Sequence, residues 1–128
     1  MTRINVVPPQ ELVNKHLMAE YRELPRIFTD ARKRIAKGQG VSELNQPSSY
    51  KMGQGHCMFF LTRCGWLLNR YQDLCGELLA RGYNLNLELF NEICDSAETL
   101  PAAWMGDYHP DSDAMQINRA RISDRLNA

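Results

Sequence analysis

At 128 residues the chain is long enough for one compact domain, residues 1–128, and too short for two ordinary ones. A composition that is 44% hydrophobic, 23% charged and 9% aromatic can fill a core, which excludes disordered, collagen-like and mucin-like chains. The formal net charge is zero, and no apolar run reaches the roughly 18 to 20 residues of a membrane span or the stretch of a signal peptide, so a soluble intracellular protein is expected.

Three segments read as helices. The first covers residues 10–37, entered after Pro8-Pro9 and stopped by Gly38-Gln39-Gly40. At about 100° per residue, Leu17, Tyr21, Leu24, Phe28, Ala31 and Ile35 gather on one face. Lys15, His16, Ala19, Arg22, Glu23 and Arg26 fall on a separate arc. Pro25 sits inside this run and removes the N–H that would reach residue 21, which predicts a kink. The second helix covers residues 61–81, with Cys64, Leu67, Leu68, Tyr71, Leu74, Cys75 and Leu78 at core spacing and Gly82 as its stop. The third covers residues 111–126, with Asp111 as cap and Met115, Ile117 and Ile122 as apolar contacts.

A short helical turn is expected over residues 87–94, and residues 41–56 and 96–110 read as long loops. The predicted class is therefore all-α, with three main helices and long loops. Cys57, Cys64, Cys75 and Cys94 include no Cys-x-x-Cys pair and no adjacent His cluster, which argues against a zinc site or a disulfide framework, and the helical spacing of Cys64 and Cys75 with their apolar neighbours suggests small buried thiols.

Charge is unevenly placed. Residues 1–40 carry eight basic side chains against four acidic ones, and residues 41–118 carry four against ten. The last ten hold Arg119, Arg121 and Arg125 against Asp124. If the two ends meet, they form a basic face of the kind that attracts phosphate; solvated helix faces are the alternative. On the polar arc of the first helix, Arg22 and Arg26 flank Glu23, with His16 two turns earlier. Two guanidiniums can hold phosphate oxygens while the carboxylate faces a reacting group. A surface salt-bridge ladder is the competing reading.

The amino terminus bears on that choice. Thr2 is small enough for Met1 to be removed, exposing an α-amine of pKa about 7.8 against about 10.4 for lysine. Roughly a third of such an amine is neutral at pH 7.5, so it is a ready nucleophile, and attack on a carbon electrophile yields an imine.

The runs Met1-Thr2-Arg3-Ile4-Asn5 and His16-Leu17-Met18-Ala19-Glu20-Tyr21-Arg22-Glu23-Leu24-Pro25-Arg26 carry a resemblance that continues at Gly53-Gln54-Gly55-His56-Cys57-Met58-Phe59-Phe60, Arg81-Gly82-Tyr83-Asn84, Gly106-Asp107-Tyr108 and Ala120-Arg121. Over nearly its whole length the chain resembles the phage-type pyrimidine-dimer DNA glycosylases, the endonuclease V family of the T-even phages. The resemblance implies an all-α DNA repair enzyme that is both glycosylase and abasic-site lyase. The expected enzyme acts on double-stranded DNA as a monomer, without a cofactor, in the cytoplasm of a bacterial or phage-infected cell. It implies that the Thr2 α-amine attacks the sugar, that Glu23 stabilises the developing positive charge, and that Arg3, Arg22 and Arg26 hold phosphates. Arg121 matches a basic family position, Arg125 keeps the charge of another, and Lys15 adds a cation where the best-known member has glutamine. His16 and His56 are candidate supporting residues, His56 more as a structural or DNA-facing loop residue than as a catalyst.

The aromatic, basic tail of the best-known member has no counterpart in Arg125-Leu126-Asn127-Ala128, and Trp104, Tyr108 or Tyr50 are the candidate stacking substitutes. Ultraviolet pyrimidine dimers are the first substrate expected. Another damaged base, or abasic sites alone, are the alternatives within the same chemistry, and a non-catalytic DNA-binding domain is the alternative of another class.

Overall fold

The computed structural model describes residues 2–127. Among these, six α-helices follow one another: α1 (Asn14–Glu23), α2 (Pro25–Ala36), α3 (His56–Phe60), α4 (Cys64–Ala80), α5 (Leu87–Glu98) and α6 (Ser112–Leu126). Single 3-10 turns lie at Pro9–Glu11, Val41–Glu43 and Ala102–Trp104. The all-α class holds, while the expected three main helices become six.

The predicted first helix is present but divided at Leu24. Pro25 has no N–H for the Tyr21 carbonyl, and the ladder resumes with Ile27 N–H donating to Leu24 O at 3.1 Å. The helix also starts later than expected. Residues 9–11 close into a tight turn, and Leu12 and Val13 are extended before Asn14. On the inward face Leu17, Leu24, Phe28 and Ala31 are buried, with Tyr21 and Ile35 half-buried.

α4 is the central rod, against which α1, α2 and α5 all pack. All seven of its predicted apolar positions are buried. Burying each of Leu67, Leu68, Leu74 and Leu78 contributes about 1.5–3 kcal/mol. Burial pushes the Cys64 and Cys75 thiols up to about 12, as expected of inert core thiols, and Cys94 is buried as well.

The expected turn at 87–94 is a full helix running to Glu98. Asn86 caps it by accepting from Leu89 N–H at 3.0 Å, and Cys94, Ala97 and Leu100 bury in succession, so the loop expected from residue 96 begins later. That loop is stitched to the start of α4. Gly106 N–H donates to Thr62 O at 2.9 Å and Trp66 N–H to Gly106 O at 3.1 Å, an approach so close that a Cβ at Gly106 would overlap the Thr62 carbonyl.

α6 is capped as predicted, Asp111 accepting from Ala114 N–H at 2.8 Å. Its inward face differs from expectation. Ile117 is 38% exposed, while Ala114 and the polar Asn118 are the buried residues.

Candidate active site

The amino-terminal segment, residues 2–7, is an extended arm without helix or sheet partners, so its buried peptide groups must be satisfied elsewhere. Side chains from four other parts of the chain do so. Ile4 N–H donates to His56 Nε2 at 2.8 Å, and Ile4 O accepts from the Tyr50 hydroxyl at 2.8 Å. Val6 and Val7 N–H both donate to Asn118 Oδ1, at 2.7 and 3.1 Å. Val7 O accepts from Arg70 Nη1 at 2.6 Å, and Thr2 O from the Cys57 thiol at 3.8 Å.

A buried polar network lies beneath the arm. Arg70, 5% exposed, forks onto Glu20, 1% exposed, through Nε to Oε2 at 2.8 Å and Nη2 to Oε1 at 3.0 Å. Glu20 Oε1 also accepts from Asn5 Nδ2, and Asn5 Oδ1 accepts from Asn118 Nδ2, both at 2.8 Å. Sequence periodicity passed over these residues. Their signal was a charge at an apolar position: Glu20 lies between Leu17 and Leu24, and Arg70 between Leu67 and Leu74.

His56 is a strut for the arm. Its Nε2 accepts from Ile4 N–H, so Nδ1 carries the proton and donates to Lys51 O at 2.7 Å. Burial is the main cause that pushes its pKa below the ordinary histidine value. Gly55, at φ +91°, makes the tight entry into α3 that brings this ring under the arm, a backbone angle that side chains rarely accept.

The arm leads into a cleft of about 540 Å³. Thr2 and Glu23 line it, with Arg3 from the arm, Lys15 and His16 from α1, and Arg121 and Arg125 from α6. The two basic ends of the chain therefore meet. Glu20 is neutralised by Arg70, which leaves four cations against Glu23 and a local excess of positive charge on a chain of zero net charge. The crowding registers on Arg3, whose pKa is pushed down first by burial and then by Arg125. His16 is lowered by burial, Arg3 and Lys15, so its ring is neutral at pH 7; its buried Nδ1 has no hydrogen-bond partner among the described residues.

Arg22 and Arg26 are exposed and do not line this cleft. They line a neighbouring groove with Pro25, Thr29, Asp30 and Lys33, and Arg26 leans back on Glu23 at 3.8 Å. The expected removal of Met1 lies outside the described residues. Two of the three candidate stacking aromatics are spent in the core: Tyr50 and Trp104 are buried, the first with its hydroxyl on Ile4. Tyr108 is half-buried and edge-on to Phe59, Phe60 and Trp66.

A family model described as pyrimidine dimer DNA glycosylase matches residues 1–91, a span that takes in the arm, Glu23, both supporting histidines and the Glu20–Arg70 pair. That match covers well over half of the chain and agrees with the resemblance carried by its motifs, and the chain belongs to the pyrimidine dimer DNA glycosylase family.

Proposed function

We propose that this DNA glycosylase is also an abasic-site lyase, acting on pyrimidine dimers in double-stranded DNA through an imine formed by the α-amine of Thr2 once Met1 is removed. The observation that carries the reading is the shared cleft: residue 2 stands at the tip of a pinned arm and opens on the same space as Glu23, among cations from three segments. The neutral amine attacks C1′ of the damaged nucleotide, the C1′–N bond breaks, and the base leaves with the bonding electrons and takes up a proton. Opening of the sugar ring and loss of an amine proton give the protonated imine. Removal of a proton from C2′ then expels the 3′ phosphate by β-elimination and cuts the strand; water finally hydrolyses the imine and frees the amine.

In this reading Glu23, half-buried at the cleft, stabilises the cationic sugar and carries protons. Arg3, Lys15, Arg121 and Arg125 hold phosphates about the lesion, while Arg22 and Arg26 extend the basic track onto the adjoining groove. His16 is a neutral neighbour of the reacting groups and His56 supports the arm. The covalent work belongs to the amine, so the scheme calls for no metal, and one chain supplies every group it uses.

Borohydride trapping tests the reading. The processed protein, incubated with duplexes carrying a pyrimidine dimer, an abasic site or no lesion and then reduced, is expected to give a covalent protein–DNA species with the first two. Glu23→Gln should lose strand cleavage while retaining DNA binding, and a Met1-retained form should trap nothing. A band with the abasic site alone keeps the imine and redirects the search to another base. No band with either lesion refutes the mechanism.

A further inference from the structure

Among the described residues, His56, Tyr50, Cys57 and Arg70 each bond the arm once, and one residue bonds it more often. Asn118, 0% exposed, holds the arm at three points: Oδ1 takes the N–H groups of Val6 and Val7, and Nδ2 reaches Asn5 Oδ1. The same helix bears Arg121 and Arg125, three and seven residues on, and at about 100° per residue both lie within roughly 60° of Asn118 around the axis. Apart from the exposed fork of Arg119 onto Glu11, polar anchoring of α6 to the rest of the chain rests on Asn118, and its apolar packing is thin. Of its apolar residues only Ala114 is buried, Met115 and Ile122 are half-buried, and Ile117 faces outward. A slip of one turn would carry the two arginines about 5.4 Å along the cleft.

We propose that Asn118 is a positioning residue for the imine reaction, setting the amine-bearing arm and the phosphate-holding arginines of α6 in fixed relation to one another. This rests on the reading of Thr2 as the nucleophile. Asn118 touches no reacting atom. Four steps of extended chain lead from Val6 to Thr2, about 13 Å, so it acts through the arm on one side and through its own helix on the other. A buried amide suits the task because it presents an acceptor for two peptide N–H groups and a donor for Asn5 at once. Asn5 in turn passes the register on to Glu20, and so to the helix that bears Glu23.

The test is single-turnover trapping on an abasic-site duplex with the processed wild type, Asn118→Ala and Asn118→Ser, each at saturating protein and below its melting temperature. Displacement of about 1 Å between reacting groups costs on the order of 100-fold in rate. Asn118→Ala is therefore expected to form the imine 10- to 100-fold more slowly, to bind DNA more weakly, and still to reach the wild-type endpoint. Asn118→Ser, which keeps one acceptor, should fall between. A residue that merely stabilised the fold would lower the endpoint, through loss of folded protein, and leave the rate constant alone; that result overturns the proposal. So does an unchanged rate in both variants. If the wild type itself traps nothing, the nucleophile assignment has failed and this inference falls with it.

Discussion

Replacing Arg70 by Met keeps most of the volume of the side chain and removes its charge, so the change isolates the ion pair beneath the arm. In the native protein Arg70 closes two hydrogen bonds to Glu20, at 2.8 and 3.0 Å, and one to Val7 O. Without them Glu20, 1% exposed, keeps Asn5 as its single remaining donor among the described residues, and the Val7 carbonyl has none. An uncompensated buried carboxylate costs about 3–5 kcal/mol, against a total of about 5–15 kcal/mol for a domain of this kind. Glu20→Gln should be costly for the converse reason, a buried guanidinium left without its anion. The double variant, which buries no net charge, should recover at least about 2 kcal/mol relative to the sum of the singles. Urea unfolding of the four proteins, at a common denaturant slope, measures the cycle. Single costs below about 1 kcal/mol, or simple additivity in the double variant, would refute the reasoning.

One contribution to the pH dependence of stability comes from His56. Its folded-state pKa lies below the unfolded value of about 6.5, so the unfolded chain takes the proton first as pH falls. The stability that His56 contributes is complete above about pH 6.5 and declines below it, at up to about 1.4 kcal/mol per pH unit for one such group, until the folded ring protonates as well. Urea midpoints at pH 7.5 and 5.5 should show the decline, and His56→Phe should be less stable at pH 7.5 yet lose less between the two; an equal loss would remove His56 as the cause. A second expectation concerns salt. Arg121→Gln should reduce the slope of log binding constant against log salt by about 0.9, the signature of one lost phosphate contact. Arg119→Gln should leave the slope alone, because Arg119 does not line the cleft and its guanidinium is paired with Glu11 at 2.8 Å; equal slopes for Arg121→Gln and wild type would take Arg121 out of the interface.

Much of the helical framework was legible because it is local. The α4 stripe repeats at helical spacing, Pro25 lacks an N–H wherever the chain goes, and Asp111 can cap only the helix that follows it. The arc of α1 and the basic ends likewise pointed to the cleft before its shape was known. Two kinds of feature were not legible. The later helix α5 owes its length to burial of Cys94, Ala97 and Leu100 against the rest of the molecule, which weak local preference does not announce. The anchors of the arm join residues 46 to 113 positions apart, and no short-range pattern marks an asparagine or tyrosine as the partner of a distant peptide group. Arg22 and Arg26 show a third limit: a shared arc on the helical wheel says nothing of position along the axis, and they run past the cleft onto the next groove.

The arm also orders events in the making of the protein. Residues 2–7 are synthesised before any of their anchors, and the last anchor to appear, Asn118, follows its partner Val6 by 112 positions. Closing so long a loop costs less once the intervening helices have shortened it, so the arm is expected to take its seat late in folding. A nascent or half-folded chain would thus carry residue 2 with no cleft around it, and any reactivity of that end would be aimed at nothing in particular. On the proposed imine chemistry, full competence toward DNA is expected only once the arm is seated in the completed fold.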